Sequence, residues 1–436
     1  MKRREFIKST AAAGMFLAQA PYILGQEPTK FRTALIGAGW WGKNILREAA
    51  ASKRCKIVAL CDVDGNGLEV SGEQVNDFSG DSPKLYKHHQ ELLEKEKPEI
   101  VIIATPDHWH ALQTIDALKA GAHVFVEKPT GHTVNESRAM LHAARDSGRI
   151  VQVGLHRRIG PHHVSAMSFL RSGAVGDVGM VRLFANSGGG REKPQANSEP
   201  PENMDWNTWC GPAPLRPFNS KLHPGGWRNF LDYANGTLGD WGVHWLDQVL
   251  WWTEEKYPKR VFCTGGRPIA GPAVLNDKEQ TTDAPDHQVA TYEFEKFTCI
   301  WEHRHFAGSS ADKHPIGAYY YGTKGTLHVG WRDGWTFYPN GKGEAVHQDS
   351  QLQEPDGHNL KLLWGDFMEA IDKKHAPVAG IEQAHRSSVL PLLGMISWRL
   401  GRSIDWDPDR EQIVADPKAN ALLVRKYREP WVYPNV

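Results

Sequence analysis

From residue 31 the chain alternates short, near-continuous apolar runs with longer stretches whose apolar residues recur every three or four positions. "FRTALI", "KIVALC", "EIVIIATP" (Glu99 to Pro106), "HVFVEKP" (His123 to Pro129) and "IVQVG" read as strands buried on both faces. Between them, helical spacing places Ile45, Leu46 and Ala49 on one stripe and predicts further helices over His108–Ala120 and Asn135–Ser147. Strands of this kind alternating with helices predict an α/β unit with a parallel sheet covered on both sides. After Gly154 the pattern changes. Half-buried strands are predicted at "GMVRLFANS", "RVFCTGG", "HQVATYEFE", "FTCIWEHR" and "TKGTLHVGW", with Gly, Pro, Asn or Lys-Gly turns between them. Helices are predicted over Pro161–Arg171, Asp240–Trp252, Leu360–Lys373 and Glu382–Leu400. A stretch of low periodicity, rich in Pro, Gly and Asn, runs from Gly188 to Asn229, and its three tryptophans favour an ordered loop.

The first strand ends in Gly37-Ala38-Gly39-Trp40-Trp41-Gly42 and leads straight into a helix, the position and spacing of a Rossmann dinucleotide turn. Gly37 would permit the tight turn, Gly39 the approach of a diphosphate, and Gly42 the packing of helix on strand. The second strand ends at Asp62, twenty residues past Gly42, where a carboxylate accepts hydrogen bonds from ribose hydroxyls and repels a 2'-phosphate; NAD is therefore expected rather than NADP. Ligands bind such sheets at the carboxyl ends of the strands, so Thr105-Pro106 and Glu127-Lys128-Pro129 join the glycine turn and Asp62 around one crevice.

Composition narrows the partners. The 436 residues suit two domains, and a formal net charge of +0 gives no electrostatic preference for nucleic acid or an acidic membrane surface. Five scattered cysteines form neither a disulfide framework nor a thiolate metal site. Histidine pairs 108/110, 162/163 and 303/305 lack a third ligand at suitable spacing, so no metal is expected. Residues 1–26 carry Arg3-Arg4, then Phe6, then a short apolar run, which resembles a twin-arginine export signal and is too short to span a bilayer. Elsewhere no apolar run reaches membrane length. The mature protein is thus expected to be exported folded by the Tat machinery to the periplasm, without membrane insertion.

With "ATPDHWHA", Glu127-Lys128-Pro129, "GLHRR" and "GTLGDWGVHWLD" added to the glycine turn, the chain resembles the glucose-fructose oxidoreductase / inositol dehydrogenase (Gfo/Idh/MocA) family over nearly its whole length after the signal. The resemblance implies an NAD-binding Rossmann domain (30–154) and a C-terminal α+β domain (155–436) with a large open, mostly antiparallel sheet, whose outer face forms a homodimer or homotetramer contact. It places Trp40, Trp41, Thr105, Pro106, His110, Glu127 and Lys128 with the glycines and Asp62 around the cofactor. Asp240 and His244, four residues apart on a predicted helix, share a face and can hydrogen-bond; a capping box at Thr237 with a core histidine also fits that spacing. By resemblance they form the proton-transfer pair, with Lys128 as third member. His156, Arg157 and Arg158 are then substrate contacts, although one arginine could instead pair across the domain junction. Seven tryptophans between Trp206 and Trp252 offer stacking faces for a sugar, Trp227 among them.

The expected substrate is a carbohydrate or polyol oxidised by hydride transfer. No free nicotinamide pool exists outside the cytoplasm, so export implies tightly bound NAD that must be restored within the site. A ping-pong oxidoreductase satisfies this, and so does a redox-neutral glycoside hydrolase or lyase; a non-catalytic NAD-binding protein is the remaining alternative.

Overall fold

The computed structural model describes residues 30–435, apart from 254, 310 and 353. The expected signal segment lies outside the described residues. From Phe31 onward the chain forms one compact unit.

The first sheet is built from β1 (Phe31–Ile36), α1 (Trp40–Ala51), β2 (Cys55–Cys61), α2 (Gly65–Ser79), β3 (Lys84–Tyr86), α3 (His89–Glu96), β4 (Ile100–Ile103), α4 (His110–Lys119), β5 (His123–Val126), α5 (Val134–Ser147) and β6 (Val151–Val153). Its strand order is β3-β2-β1-β4-β5-β6, and every pairing is parallel. The apolar runs are buried along their length, β4 completely, because helices cover both faces. On α1 the buried set is Gly42, Ile45, Leu46 and Ala49, the stripe read from the sequence. A capping box between Thr133 and Glu136 starts α5. Sequence pattern missed β3 and α3: in β3 only Tyr86 is buried, so period-2 alternation has nothing to register.

The second sheet follows α6 (Pro161–Arg171). Its strands are β7 (Val178–Asn186), β9 (Arg260–Gly266), β11 (His287–Glu293), β12 (Thr298–Arg304), β13 (Ile316–Gly322), β14 (Gly325–Gly330), β15 (Trp335–Pro339), β16 (Val346–Gln348), β17 (Ile404–Asp407) and β18 (Gln412–Ile413). The order is β16-β15-β14-β13-β7-β12-β11-β9-β17-β18, antiparallel except for β7 beside β12. A two-stranded ribbon of β8 (Gln195–Ala196) and β10 (Glu279–Gln280) stands apart. The inner face carries Trp301, Tyr292 and Tyr320, packed with Trp245 of α8 (Val243–Thr253) and with α10 (Ile381–Leu400). Two later helices return to the first sheet: Leu360, Leu363, Trp364 and Phe367 of α9 (Pro355–Lys373), with Ile381 and Ala384 of α10, complete its core. The long aperiodic stretch is ordered around a third core of Trp206, Trp209, Phe218, Leu222, Trp227, Phe230 and Tyr233, with α7 (Trp206–Cys210) inside it. All five cysteines are free and buried. Among the described residues no helix is long and apolar enough to cross a membrane.

Candidate functional site

The crevice opens where β1, β2, β4 and β5 end. Gly37 has φ +91°, and a Cβ there would stand 2.7 Å from the Ala104 carbonyl, so both backbone and space require glycine. Gly42 presses against the same turn, with a Cβ position only 2.2 Å from the Gly37 oxygen. Gly39 differs. It caps α1 without a side-chain hydrogen bond, its Cβ would meet nothing within 4 Å, and no acidic residue occupies the first helical turn. The helix start is thus uncapped by any side chain and open at Gly39, as an anion requires. Asp62 accepts from the Ala38 N-H at 2.8 Å and the Asp64 N-H at 3.1 Å, which holds its carboxylate at the crevice. Burial pushes its pKa up against those hydrogen bonds. The glycine turn, the empty approach at Gly39 and this fixed carboxylate fit a diphosphate followed by a ribose diol.

Thr105 and Pro106 line the same cavity of about 400 Å³, with Trp40 exposed at its rim and Trp41 inside. The Trp41 indole donates to Glu127 Oε1 at 2.7 Å, joining the glycine turn to the Glu-Lys-Pro strand end. Gly154 follows β6 so closely that a Cβ would lie 2.4 Å from that carboxylate. His110 is placed otherwise than expected. Its Nδ1 lies 2.8 Å from the Pro129 carbonyl and its Nε2 2.8 Å from that of Thr105, so the buried ring braces two strand ends and offers no nitrogen to a cofactor.

Lys128 Nζ reaches across from β5 and donates to the Asp240 carboxylate and, at 3.1 Å, to the Asp240 carbonyl. Arg228 Nε lies 3.5 Å from the same carboxylate. Burial pushes the Asp240 carboxyl up, but Lys128 and Arg228 outweigh it and hold the pKa below the ordinary value. The expected Asp240–His244 hydrogen bond is not formed. Asp240 lies in the π-helical turn Leu238–Gly242 that leads into α8, and its carboxylate is taken by Lys128 and Arg228 instead. His244 instead lies with its ring centroid 5.0 Å from that of His156, and its buried Nδ1 has no hydrogen-bond partner among the described residues. Burial first, then Arg157 and Lys128, drive its pKa far below the ordinary value, which keeps the imidazole neutral.

Of the three expected substrate contacts after β6, only His156 adjoins the crevice, between Trp41 and His244. Arg157 is 2% exposed, its guanidinium 4.9 Å from the Trp245 ring centroid and 5.7 Å from that of Trp241. Arg158 forms a buried fork with Asp247, Nε to Oδ1 and Oδ2 at 2.9 and 2.8 Å and Nη2 to Oδ1 at 2.8 Å; Ser387 donates to the same carboxylate. Both arginines are buried, and Arg158 pairs with Asp247 within the C-terminal domain. Trp227 lines the cavity under the Arg228 guanidinium.

Two charged residues escaped the sequence reading. Asp107, 4% exposed, lies just past the β4 end, in the field of Lys128, Asp240 and Arg228. Burial pushes its carboxyl up to about 8 against the pull of Lys128. The strand-end rule that chose Thr105 and Pro106 could have included it. Arg228 had no such signal, because only the fold of the long loop brings it to Asp240. One trio among the described residues, His314, His328 and Asp333, gathers possible metal-binding atoms within 4.8 Å. The two imidazoles stack with centroids 3.6 Å apart and planes 22° apart, so a metal at the ~2 Å nitrogen bond length cannot lie in both ring planes.

Comparison with known proteins agrees with this architecture. Residues 31–155 match the oxidoreductase-family NAD-binding Rossmann fold, and residues 182–265 and 276–433 match the C-terminal alpha/beta domain of the same family. The rhizopine catabolism protein MocA of Rhizobium meliloti is 26% identical over 251 residues, 58% of this chain and 66% of that protein. A glycosyl hydrolase family 109 protein of Stenotrophomonas maltophilia is 32% identical over 189 residues, 41% of this chain and 40% of its own length. The chain thus spans less than two thirds of the length of either relative. Among solved structures, the Caulobacter crescentus aldose-aldose oxidoreductase complexed with glycerol superposes with a TM-score of 0.65 at 20% identity, over 86% of this chain and 99% of that one. Levoglucosan dehydrogenase with NADH and levoglucosan gives 0.66 at 19% identity, over 86% and 99%. The chain belongs to the Gfo/Idh/MocA oxidoreductase family, with its NAD-binding Rossmann fold.

Proposed function

We propose that this protein oxidises a hydroxyl of a sugar or polyol with a resident NAD. The observation that carries the reading is the juxtaposition of Lys128, ion-paired with Asp240, and a neutral, unpartnered His244 beside a crevice shaped for a dinucleotide. Gly37, Gly39 and the α1 N-terminus would hold the diphosphate, Asp62 the ribose, and Trp41 with Glu127 the wall nearest the reacting ring. The carboxylate of Asp62 favours NAD over NADP. NAD supplies, when bound, the acceptance and return of a hydride. The protein's own part is proton transfer and orientation: Lys128 donates to the substrate hydroxyl oxygen, Asp240 fixes the ammonium, and His244 Nδ1 or Nε2 accepts the proton. His156 and Trp227 flank the sugar.

A second reading, redox-neutral glycoside hydrolysis or lysis in which the hydride returns to the same sugar, is favoured by the relatives named glycosyl hydrolase family 109. In either case the twin-arginine segment would export the protein folded to the periplasm. Cell fractionation of an Arg3→Lys, Arg4→Lys variant tests this, with retention in the cytoplasm expected. Phe262 and Val289, exposed on the outer face of the second sheet, would sit in a homodimer or homotetramer contact, and the mass in solution decides.

The central test is native mass spectrometry of the purified protein, followed by addition of candidate sugars and polyols without free nucleotide. One NAD per chain is expected, reduced in place by at least one sugar; a chain that neither carries nor takes up NAD would overturn the reading.

A further inference from the structure

The cavity at the glycine turn is not an open Rossmann crevice. Its outer wall is Thr208, Trp209, His223, Pro224 and Trp227, all from the long segment that precedes the π-turn. That segment is tied to the nucleotide-binding half beside Asp62. The Gly65 N-H donates to the Asn203 carbonyl at 3.1 Å, and the Asp205 N-H donates to the Val63 carbonyl at 2.9 Å. Farther along, the Trp109 indole donates to the Trp209 carbonyl at 3.1 Å, and His108 Nε2 lies 3.0 Å from the same oxygen. Gly211 must be glycine, since a Cβ would stand 2.3 Å from the Trp109 ring.

The roof is held in turn by the C-terminal tail. Arg428 donates to the Asn207 side chain at 2.6 Å, to the Asn207 carbonyl at 2.8 Å and to the Ala213 carbonyl at 3.1 Å. The tail has its own anchors on the start of α5. Arg425 Nε and the Tyr427 hydroxyl reach Glu136 Oε1 at 2.7 and 2.6 Å, and the Tyr433 hydroxyl meets Thr133 Oγ1 at 2.8 Å. Trp431 closes edge-on against Trp109, centroids 5.9 Å apart.

We propose that the segment Asn203–Pro224 supplies the outer wall of an adenosine subsite, and that Arg428 latches this wall so that the dinucleotide stays enclosed between turnovers. The inference rests on the NAD reading above. It adds the structural reason for retention: the adenosine half leaves only when a wall held at Asn203, Asp205 and Trp209, and again by Arg428 at Asn207 and Ala213, moves. Oxidising equivalents must then reach and leave the site as substrates, never as free NAD.

Exchange of bound NAD for isotopically labelled NAD, followed by native mass spectrometry of the full-length protein, tests the latch. Arg428→Ala removes three roof hydrogen bonds without touching the crevice or the catalytic groups, so exchange should quicken about tenfold or more. Arg428→Lys keeps the charge, loses the fork geometry and should fall between the two. NAD that is bound in all three proteins but exchanges at one rate overturns the latch and leaves the NAD reading standing. So does rapid exchange in the unaltered protein. A chain that never binds NAD overturns both.

Discussion

At the scale of single residues, the site turns on which group can accept a proton. His244 is buried, neutral and unpartnered at Nδ1, while Lys128 is occupied with a carboxylate. His244→Ala should therefore retain NAD and lose turnover by about 10²–10⁴-fold, the usual worth of a positioned general base. Kinetics on the NAD-loaded variant check this, and near-full activity would remove His244 from the mechanism. Asp107 yields a second expectation. Its carboxyl titrates near 8 in the folded protein against an ordinary 3.8, chiefly through burial, so in that window the folded state binds the extra proton. Stability should then fall as pH rises from about 4 to about 8. In Asp107→Asn that component disappears, with Lys128, Asp240 and Arg228 still facing the site. Thermal melts of both proteins across the range decide it; parallel curves would refute the assignment.

At the scale of elements, sequence patterning reached far where one physical signal dominated. The parallel strands were legible because burial on both faces writes continuous apolar runs, and β9, α6 and the ends of α9 and α10 follow their predicted spans closely. The glycine turn was legible because each glycine meets a distinct steric demand. What failed was local geometry decided by tertiary contact. The Asp240–His244 pairing that helical spacing implied gave way to Lys128 and Arg228, brought to Asp240 from other segments. β13 and β15 went unread, since aromatic and glycine-rich runs such as "IGAYYYG" blur the alternation between the two faces. Arg158 was open to two roles, and its neighbourhood chose the structural one. Asp247→Ala would strand a buried guanidinium between α8 and the chain after β6, at a cost of about 3–5 kcal/mol. Denaturant unfolding measures it, and a loss below about 1 kcal/mol would mean that water or another carboxylate already serves Arg158.

At the scale of the whole molecule, the two functional readings share every group described and differ in where the electrons end. In the oxidoreductase reading the first sugar leaves oxidised, and a second carbonyl compound must enter before the next turnover. In the hydrolase reading the hydride returns to its source, and no second substrate is needed. At the site Lys128 is ion-paired with Asp240, and Asp107 and His244 are buried beside them. Asp107, its carboxyl pushed up to about 8 by burial, is a carboxyl that could give a proton to a departing alcohol at neutral pH. On the oxidoreductase reading proposed above, Asp107 has no such role. NAD-loaded protein supplied with an aryl glycoside and no free NAD should release no phenol beyond the uncatalysed rate. Given an oxidisable sugar, it should accumulate reduced nicotinamide up to one equivalent per chain and then stop, until an aldose acceptor restarts it. Continuous phenol release without any acceptor would reverse the assignment and make Asp107 the first residue to test as the acid.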